Sequence, residues 1–120
     1  MGKNSSKRIM IIIQSKWFCK LIGVKGIMLW PFIIVKDKQD QVLVNHEMIH
    51  YYQALELWVL PFYFLYFKYY FQNRSKFKGH PSVNHEWSYR NIPFEIECFS
   101  NQSNLSYLNF RKKFAWKKYL

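Results

Sequence analysis

The sequence predicts an α+β fold that is mostly helical. Three observations carry this. β-Branched apolar runs, Ile9 to Ile13 and Ile27 to Val35, fall before residue 36 and are separated by Gly23 and Gly26. No Pro or Gly occurs from Lys36 to Leu60, which leaves room for a long helix. Pro61 and Pro93 then stand where further helices would open. At 120 residues the chain is read as one domain over residues 1–120, with residues 1–25 as a candidate for a loosely attached N-terminal segment.

Taken in order, Arg8 to Gln14 suggests a strand or the start of a buried segment. Ile27 to Val35 reads as a strand containing Trp30-Pro31. Proline cannot donate to a ladder, so this strand is expected at an edge or bulged at Pro31. Asp37 to Asp40 is a polar turn, and Asp40 is a suitable N-cap for a helix from about Gln41 to Trp58. A second helix, from Pro61 to about Gln72, is almost wholly aromatic or aliphatic, with Lys68 interrupting it. Asn73 to Val83, with Gly79 and Pro81, reads as a polar loop. Asn91 and Pro93 mark the start of a helix carrying Glu95 and Glu97. Ser103 or Asn104 would cap a last helix over Leu105 to Tyr119.

His46-Glu47-Met48-Ile49-His50 falls on the first long helix. Residues four apart share a helix face, so both imidazoles can reach one ion while Glu47 stands beside it. That is the arrangement by which zinc hydrolases hold a metal and activate water. The motif is short enough to arise by chance. Its apolar lead-in, Val42-Leu43-Val44, and the unbroken helix around it favour a real site. Catalytic zinc takes a third protein ligand, and the residues offer Glu95 or Glu97, which lie about 200° apart on a helix so that only one can face the ion. His80 and His85 are alternatives read as polar loop residues. Glu56 and Gln53 occupy the places where a metzincin needs other residues, which excludes that class.

Composition bounds the rest. The 18 basic and 7 acidic residues give a net charge of +11, and the chain holds 11 Phe, 9 Tyr and 5 Trp. Basic residues cluster at Lys3, Lys7 and Arg8, at Arg74, Lys76 and Lys78, and at Arg111 to Lys118. Such a surface attracts anionic lipid, or nucleic acid without sequence preference, and equally keeps an aromatic-rich chain in solution. No specific nucleic-acid partner is expected. The apolar run from Leu57 to Phe67 is well short of the roughly 18–20 residues a bilayer span needs. Burial between other helices is the preferred reading for that segment, with a membrane-interface helix as the alternative. Cys19 and Cys98 make no disulfide framework and fit a reducing compartment; Cys98 is read as a core residue, with zinc ligation a minor option. The basic front and short apolar stretch do not make a secretion signal, and Met1 to Ser6 matches a myristoylation pattern that is set aside as chance. A cytoplasmic location, with membrane association as an option, is therefore expected.

Three stretches carry a resemblance: Trp30-Pro31-Phe32-Ile33, Asn45-His46-Glu47-Met48-Ile49-His50 with Gln53, and Tyr89 to Glu97. The chain resembles a minimal gluzincin, and more closely the small zincin-like proteins of bacteria. The resemblance implies a zincin-like fold, a Zn2+ cofactor and metal ligands His46, His50 and Glu95. Glu95 is selected because it aligns with the glutamate that opens the family's E-x-x-A-D stretch. It also implies metallopeptidase activity on a peptide or protein substrate, with Glu47 as general base on a zinc-activated water. His85, Tyr89 or Arg90 are candidate oxyanion stabilisers. Phe99 stands where the family has an Asp supporting a ligand histidine, so another oxygen must orient that ring. A peptide is expected to add along the Ile27–Val35 strand. The competing reading is a non-catalytic module, zinc-stabilised, basic and aromatic, that binds a membrane surface or a partner protein.

Overall fold

The computed structural model describes residues 10–76 and 81–120. The basic front at Lys3, Lys7 and Arg8, the Met1 to Ser6 pattern, Lys78, Gly79 and His80 lie outside the described residues. The architecture is α+β and mostly helical, as expected.

One sheet is built from β1 (Ile11–Gln14), β2 (Gly26–Leu29) and β3 (Phe32–Val35), in the order β1-β3-β2. β1 runs parallel to β3 and β2 antiparallel to it. Side chains alternate across a strand, so Met28, Ile33 and Val35 share the face that is buried. The single strand expected over Ile27–Val35 is a hairpin instead. Trp30 and Pro31 form its two-residue turn, joined by a cis bond. Lacking an N–H, Pro31 suits a turn better than a ladder. Its carbonyl accepts from the Ile11 N–H at 3.0 Å, which seats β1 beside β3.

A helix that the sequence reading missed, α1 (Lys16–Ile22), carries the chain from β1 to β2. The Ser15 hydroxyl accepts from the Phe18 N–H at 3.1 Å and starts it. Gly23, at φ 76°, ends it, with its N–H on the Lys20 carbonyl and the Val24 N–H on that of Cys19. This is a Schellman closure, and the left-handed seat favours glycine.

α2 (Gln41–Glu56) begins as expected, with the Asp40 carboxylate accepting from the Leu43 N–H at 3.1 Å. It stops at Glu56 rather than Trp58. The Trp58 N–H returns to Leu55 and the Val59 N–H to Ala54, the same closure as at Gly23. Here Trp58 (φ 62°) takes the glycine's seat, and Val59 (φ 63°) follows it. The chain then reverses into α3 (Leu60–Lys76), whose inner face puts Phe62 into the core. Its outer face leaves Leu60, Phe64, Phe67 and Phe71 exposed, so burial accounts for only half of this helix.

The polar loop expected over Asn73–Val83 is not a loop in its described part. Asn73 to Lys76 continue α3, and α4 (Pro81–Arg90) starts on Pro81. Its polar composition serves helix pairing: Asn73 donates to the Ser88 carbonyl at 2.9 Å, and the Ser88 hydroxyl donates to the Asn84 side chain at 2.9 Å. α5 (Pro93–Asn101) opens on Pro93 without a side-chain cap. Asn91, expected as that cap, donates to the Trp87 carbonyl and closes α4 instead.

The long C-terminal helix expected over Leu105–Tyr119 does not form. A single turn, α6 (Tyr107–Phe110), is followed by a 3-10 turn over Ala115–Tyr119. Arg111 is drawn inward by Glu56 and Glu97, Phe114 adopts φ 60°, and Trp116 folds under Phe94 with ring centroids 4.7 Å apart. The Arg111 ion pairs and the Trp116–Phe94 contact, with the chain turned at Phe114, override the local helical preference. Among the described residues no helix is long and apolar enough to cross a membrane.

Candidate metal centre

α2 is gripped on two sides, by the sheet and by α5, and this places its polar residues in the interior. His46 and His50 lie one turn apart on the side facing α5. From α5, Glu95 reaches between them: His46 Nε2 is 3.0 Å from one carboxylate oxygen and His50 Nε2 is 3.1 Å from the other. His46, His50 and Glu95 are all buried. Glu97 points the opposite way, as the 200° spacing requires. It accepts from Arg111, from the Tyr107 hydroxyl at 2.6 Å and from the Gln53 amide at 2.9 Å. Of the two glutamates, Glu95 alone meets the imidazoles.

The far nitrogens of both rings are held. Gln53 donates its amide to the Phe94 carbonyl at 3.0 Å and to Glu97 at 2.9 Å, so its oxygen is the atom turned to His50 Nδ1, at 2.8 Å. The Gln102 side-chain oxygen stands 2.8 Å from His46 Nδ1. At His50 this places the proton on Nδ1; at His46 the Gln102 oxygen, as oriented, matches the same tautomer, in which each neutral Nε2 presents a lone pair. Two lone pairs and an ionised carboxylate then converge with no hydrogen between them. Such a buried set of acceptors holds together only around positive charge, either extra protons on the imidazoles or a metal cation. The donor set fits a cation of the zinc type. A buried group of His46, His50 and Cys98 could likewise hold a metal ion, with their ligand atoms within 4.8 Å of one another. The Cys98 sulfur is 3.5 Å from His50 Nδ1, and burial pushes its thiol up to about 12.

Electrostatics follow from that geometry in the metal-free protein. Burial works against the charge on Glu95, and the His50 and His46 rings reverse this, holding its carboxyl well below the usual range. Burial likewise disfavours imidazolium at His50, but Cys98 and the Glu95 carboxylate outweigh it and raise the ring. Glu47 lies on the sheet side of α2, its side chain against Gly26, where a Cβ would come within 3.4 Å of the Glu47 Cγ. It is buried, and burial raises its carboxyl even though His50 and His46 pull the other way. Among the described residues no hydrogen bond or ion pair reaches it, and it is not among the fully enclosed unpartnered groups, which are the indole nitrogens of Trp30 and Trp116.

Aromatic rings wall the centre. The Tyr66 hydroxyl donates to Glu95 at 2.5 Å, and the Phe99 ring meets His46 edge-on at 4.7 Å. Tyr89 is half-buried, and burial and then the charge of Glu95 raise its phenol. The other oxyanion candidates are occupied and at the surface, on α4 rather than in a loop. His85 bonds the Tyr70 hydroxyl at 2.7 Å, and Arg90 pairs with Glu86 at 2.9 Å. Two grooves, of about 360 and 300 Å3, lie on the other side of α2 around Tyr52 and Leu108, and neither is lined by a residue of the centre.

Nothing in the sequence singles out Gln102, and Gln53 figures there only as a residue that excludes a metzincin and belongs to the resemblance. Only the missing Asp at Phe99 signalled that some other oxygen was needed. The strand expected to receive a peptide is also changed: β3 is paired on both sides, and β2, like β1, lies at an edge of the sheet. The Met28 carbonyl on β2 already accepts from the Tyr63 hydroxyl at 2.8 Å. No family model, curated protein or solved structure matches this chain.

Proposed function

We propose that this chain is a zinc-dependent peptidase of zincin-like, gluzincin type, with His46, His50 and Glu95 as ligands and Glu47 as general base. The observation that carries the reading is the Glu47 carboxyl, which no donor among the described residues ties down and whose charge interacts with those of His50, His46 and Glu95. A carboxyl left without a donor, mostly buried yet not fully enclosed, remains free to exchange a proton beside the centre, which a purely structural site does not require. A bound zinc ion supplies a Lewis acid that polarises a carbonyl and brings a water's pKa toward neutral. Glu47, with its raised carboxyl, is suited to take a proton at its carboxylate oxygen and return it to a leaving amine. Gln53 and Gln102 fix the ring tautomers, and Tyr66 fixes the Glu95 carboxylate. A substrate backbone adding as a further strand would meet β2 at its Gly26 end, near the Glu47 side chain, since the Met28 carbonyl is taken by Tyr63.

The test compares Glu47→Gln with His46→Ala in peptide hydrolysis and in zinc binding. Glu47→Gln is expected to bind zinc as the natural chain does while losing turnover, and His46→Ala to lose both. Full turnover by Glu47→Gln ends the reading. A second reading is favoured by the position of Cys98: a closed structural site in which its sulfur completes four protein ligands. Cys98→Ala distinguishes the two. It leaves zinc affinity intact in a peptidase centre and weakens it sharply in a closed one.

A further inference from the structure

The outer face of α3 is apolar over its first three turns, from Leu60 to Phe71. Leu60, Phe64, Phe67 and Phe71 recur at spacings of four, three and four, which on a helix keeps them within about 60° of one another. All four are exposed, from 55% at Phe67 to 77% at Leu60. The opposite face of the same helix is already buried, through Phe62. A helix that is apolar on both faces belongs between two apolar surroundings, and only one of them is supplied by this fold.

Two further observations say what the second one is. No acidic residue occurs on α3, and of its three exposed cations, Lys68 and Arg74 flank the stripe on opposite sides while Lys76 lies away from it. The chain as a whole carries +11. Pairing with a second copy would set these cations against their own equivalents, with no carboxylate on either helix to meet them. A surface of anionic headgroups meets them directly, while the rings enter the acyl boundary. Trp58 then stands at the head of the stripe, 86% exposed and in a left-handed conformation that favours glycine. Nothing inside the fold explains a tryptophan held there, whereas an indole at a membrane interface finds both apolar and polar surroundings.

We infer that the α3 stripe, with Trp58 at its head, is a docking face for an anionic lipid bilayer, on which the protein rests peripherally. The inference does not depend on the metal centre. The apolar rings supply insertion, and Lys68 and Arg74 reach phosphate beside them.

The test uses the full chain and vesicles of phosphatidylcholine, with and without phosphatidylglycerol. Co-sedimentation with the mixed vesicles is expected, with markedly less on phosphatidylcholine alone. The triple variant F64S/F67S/F71S should bind the mixed vesicles about tenfold or more weakly, since it removes the inserted area. These side chains are exposed, so the melting temperature should stay near that of the natural chain, and this is checked first. Lipids brominated along the acyl chain should quench part of the tryptophan emission, and W58F should lose that part. The inference is overturned if the triple variant binds mixed vesicles undiminished, which leaves charge alone as the cause. It is equally overturned if the natural chain ignores the vesicles, or if it is a dimer in solution that the triple variant converts to a monomer.

Discussion

Gln53 turns its amide oxygen to His50 Nδ1 at 2.8 Å because its amide nitrogen is already committed to the Phe94 carbonyl and to Glu97. The orientation of the amide is thereby decided by α5, and with it the tautomer of the ring. His50 must donate at Nδ1, which leaves Nε2 as the atom offered to a cation. Gln102 makes the corresponding contact with His46, so each of the two rings meets a glutamine oxygen at its Nδ1.

This contact predicts a graded loss of metal. Gln102→Leu removes the acceptor from His46 Nδ1 and should weaken zinc binding about 10–100-fold, the range for such supporting partners, with little change in melting temperature. Gln53→Leu should weaken zinc similarly and also cost about 1–3 kcal/mol of stability, because a buried carbonyl and the Glu97 carboxylate lose a donor. Calorimetric zinc titration with thermal melts of the metal-free variants checks both. Unchanged affinity in Gln102→Leu would show that the His46 ring is oriented by its packing alone.

The pH dependence of the metal-free protein has a definite sign. His50 is raised above its ordinary 6.5, so its contribution is fully present below that value and is lost as pH rises through the raised one. Glu95 is lowered from 4.5, so its contribution is present above that value and lost as pH falls through the lowered one. Chelated protein should therefore be most stable between these two limits and melt progressively lower as the solution becomes alkaline. Zinc should reverse the alkaline trend, because ligation needs the deprotonated rings. Melting curves with chelator and with zinc across mildly acid to alkaline pH read this directly. A metal-free melting temperature that rises steadily from neutral to alkaline pH would contradict the proposed His50–Glu95 pairing.

The clustering of His46 and His50 is more legible in the sequence than what surrounds them. A spacing of four on a helix is local information, so His46, His50 and the position of Glu47 could be read from five residues. The gap between Glu95 and Glu97 left two choices, because which side of α5 faces α2 depends on packing that no short window contains. Gln102 lies 56 positions from the ring it orients and belongs to no motif. α4 was hidden for a different reason. Its polar residues are spent on pairing with α3, and a polar run with a proline reads as loop when the partner helix is unknown. The C-terminal segment shows the opposite failure: its helical pattern is real, but Arg111, Phe114 and Trp116 are each claimed by the core.

Arg111 gathers two carboxylates. It pairs with Glu56 at 2.6 Å and with Glu97 at 2.5 Å, all three side chains being nearly inaccessible. Removing the cation leaves two buried acids facing each other, so Arg111→Met should destabilise the fold by about 3–5 kcal/mol. Arg111→Met combined with Glu56→Gln and Glu97→Gln should recover most of that loss, since the amides need no counter-charge. Urea unfolding of the single and triple variants separates the two cases. A single variant as stable as the natural chain would mean that the cluster is solvated in practice.

Two helices end with the same pair of backbone hydrogen bonds but with different residues in the left-handed seat. At α1 the residue is Gly23, at φ 76°. At α2 it is Trp58, at φ 62°. A side chain in that region costs about 1–2 kcal/mol, from which glycine is exempt apart from its greater freedom when unfolded. The Trp58 ring is exposed and returns little packing. Trp58→Gly should therefore stabilise the protein in free solution by about 1 kcal/mol, raising the melting temperature by about 4 °C. Gly23→Ala makes the converse change at α1, where no atom lies within 4 Å of an added Cβ, and should lower stability by a similar amount. Thermal melts of both variants without lipid read backbone strain in isolation. If Trp58→Gly lowers the melting temperature, the indole contributes packing to the α2–α3 corner, and its conformation is not a cost that a second surface must offset.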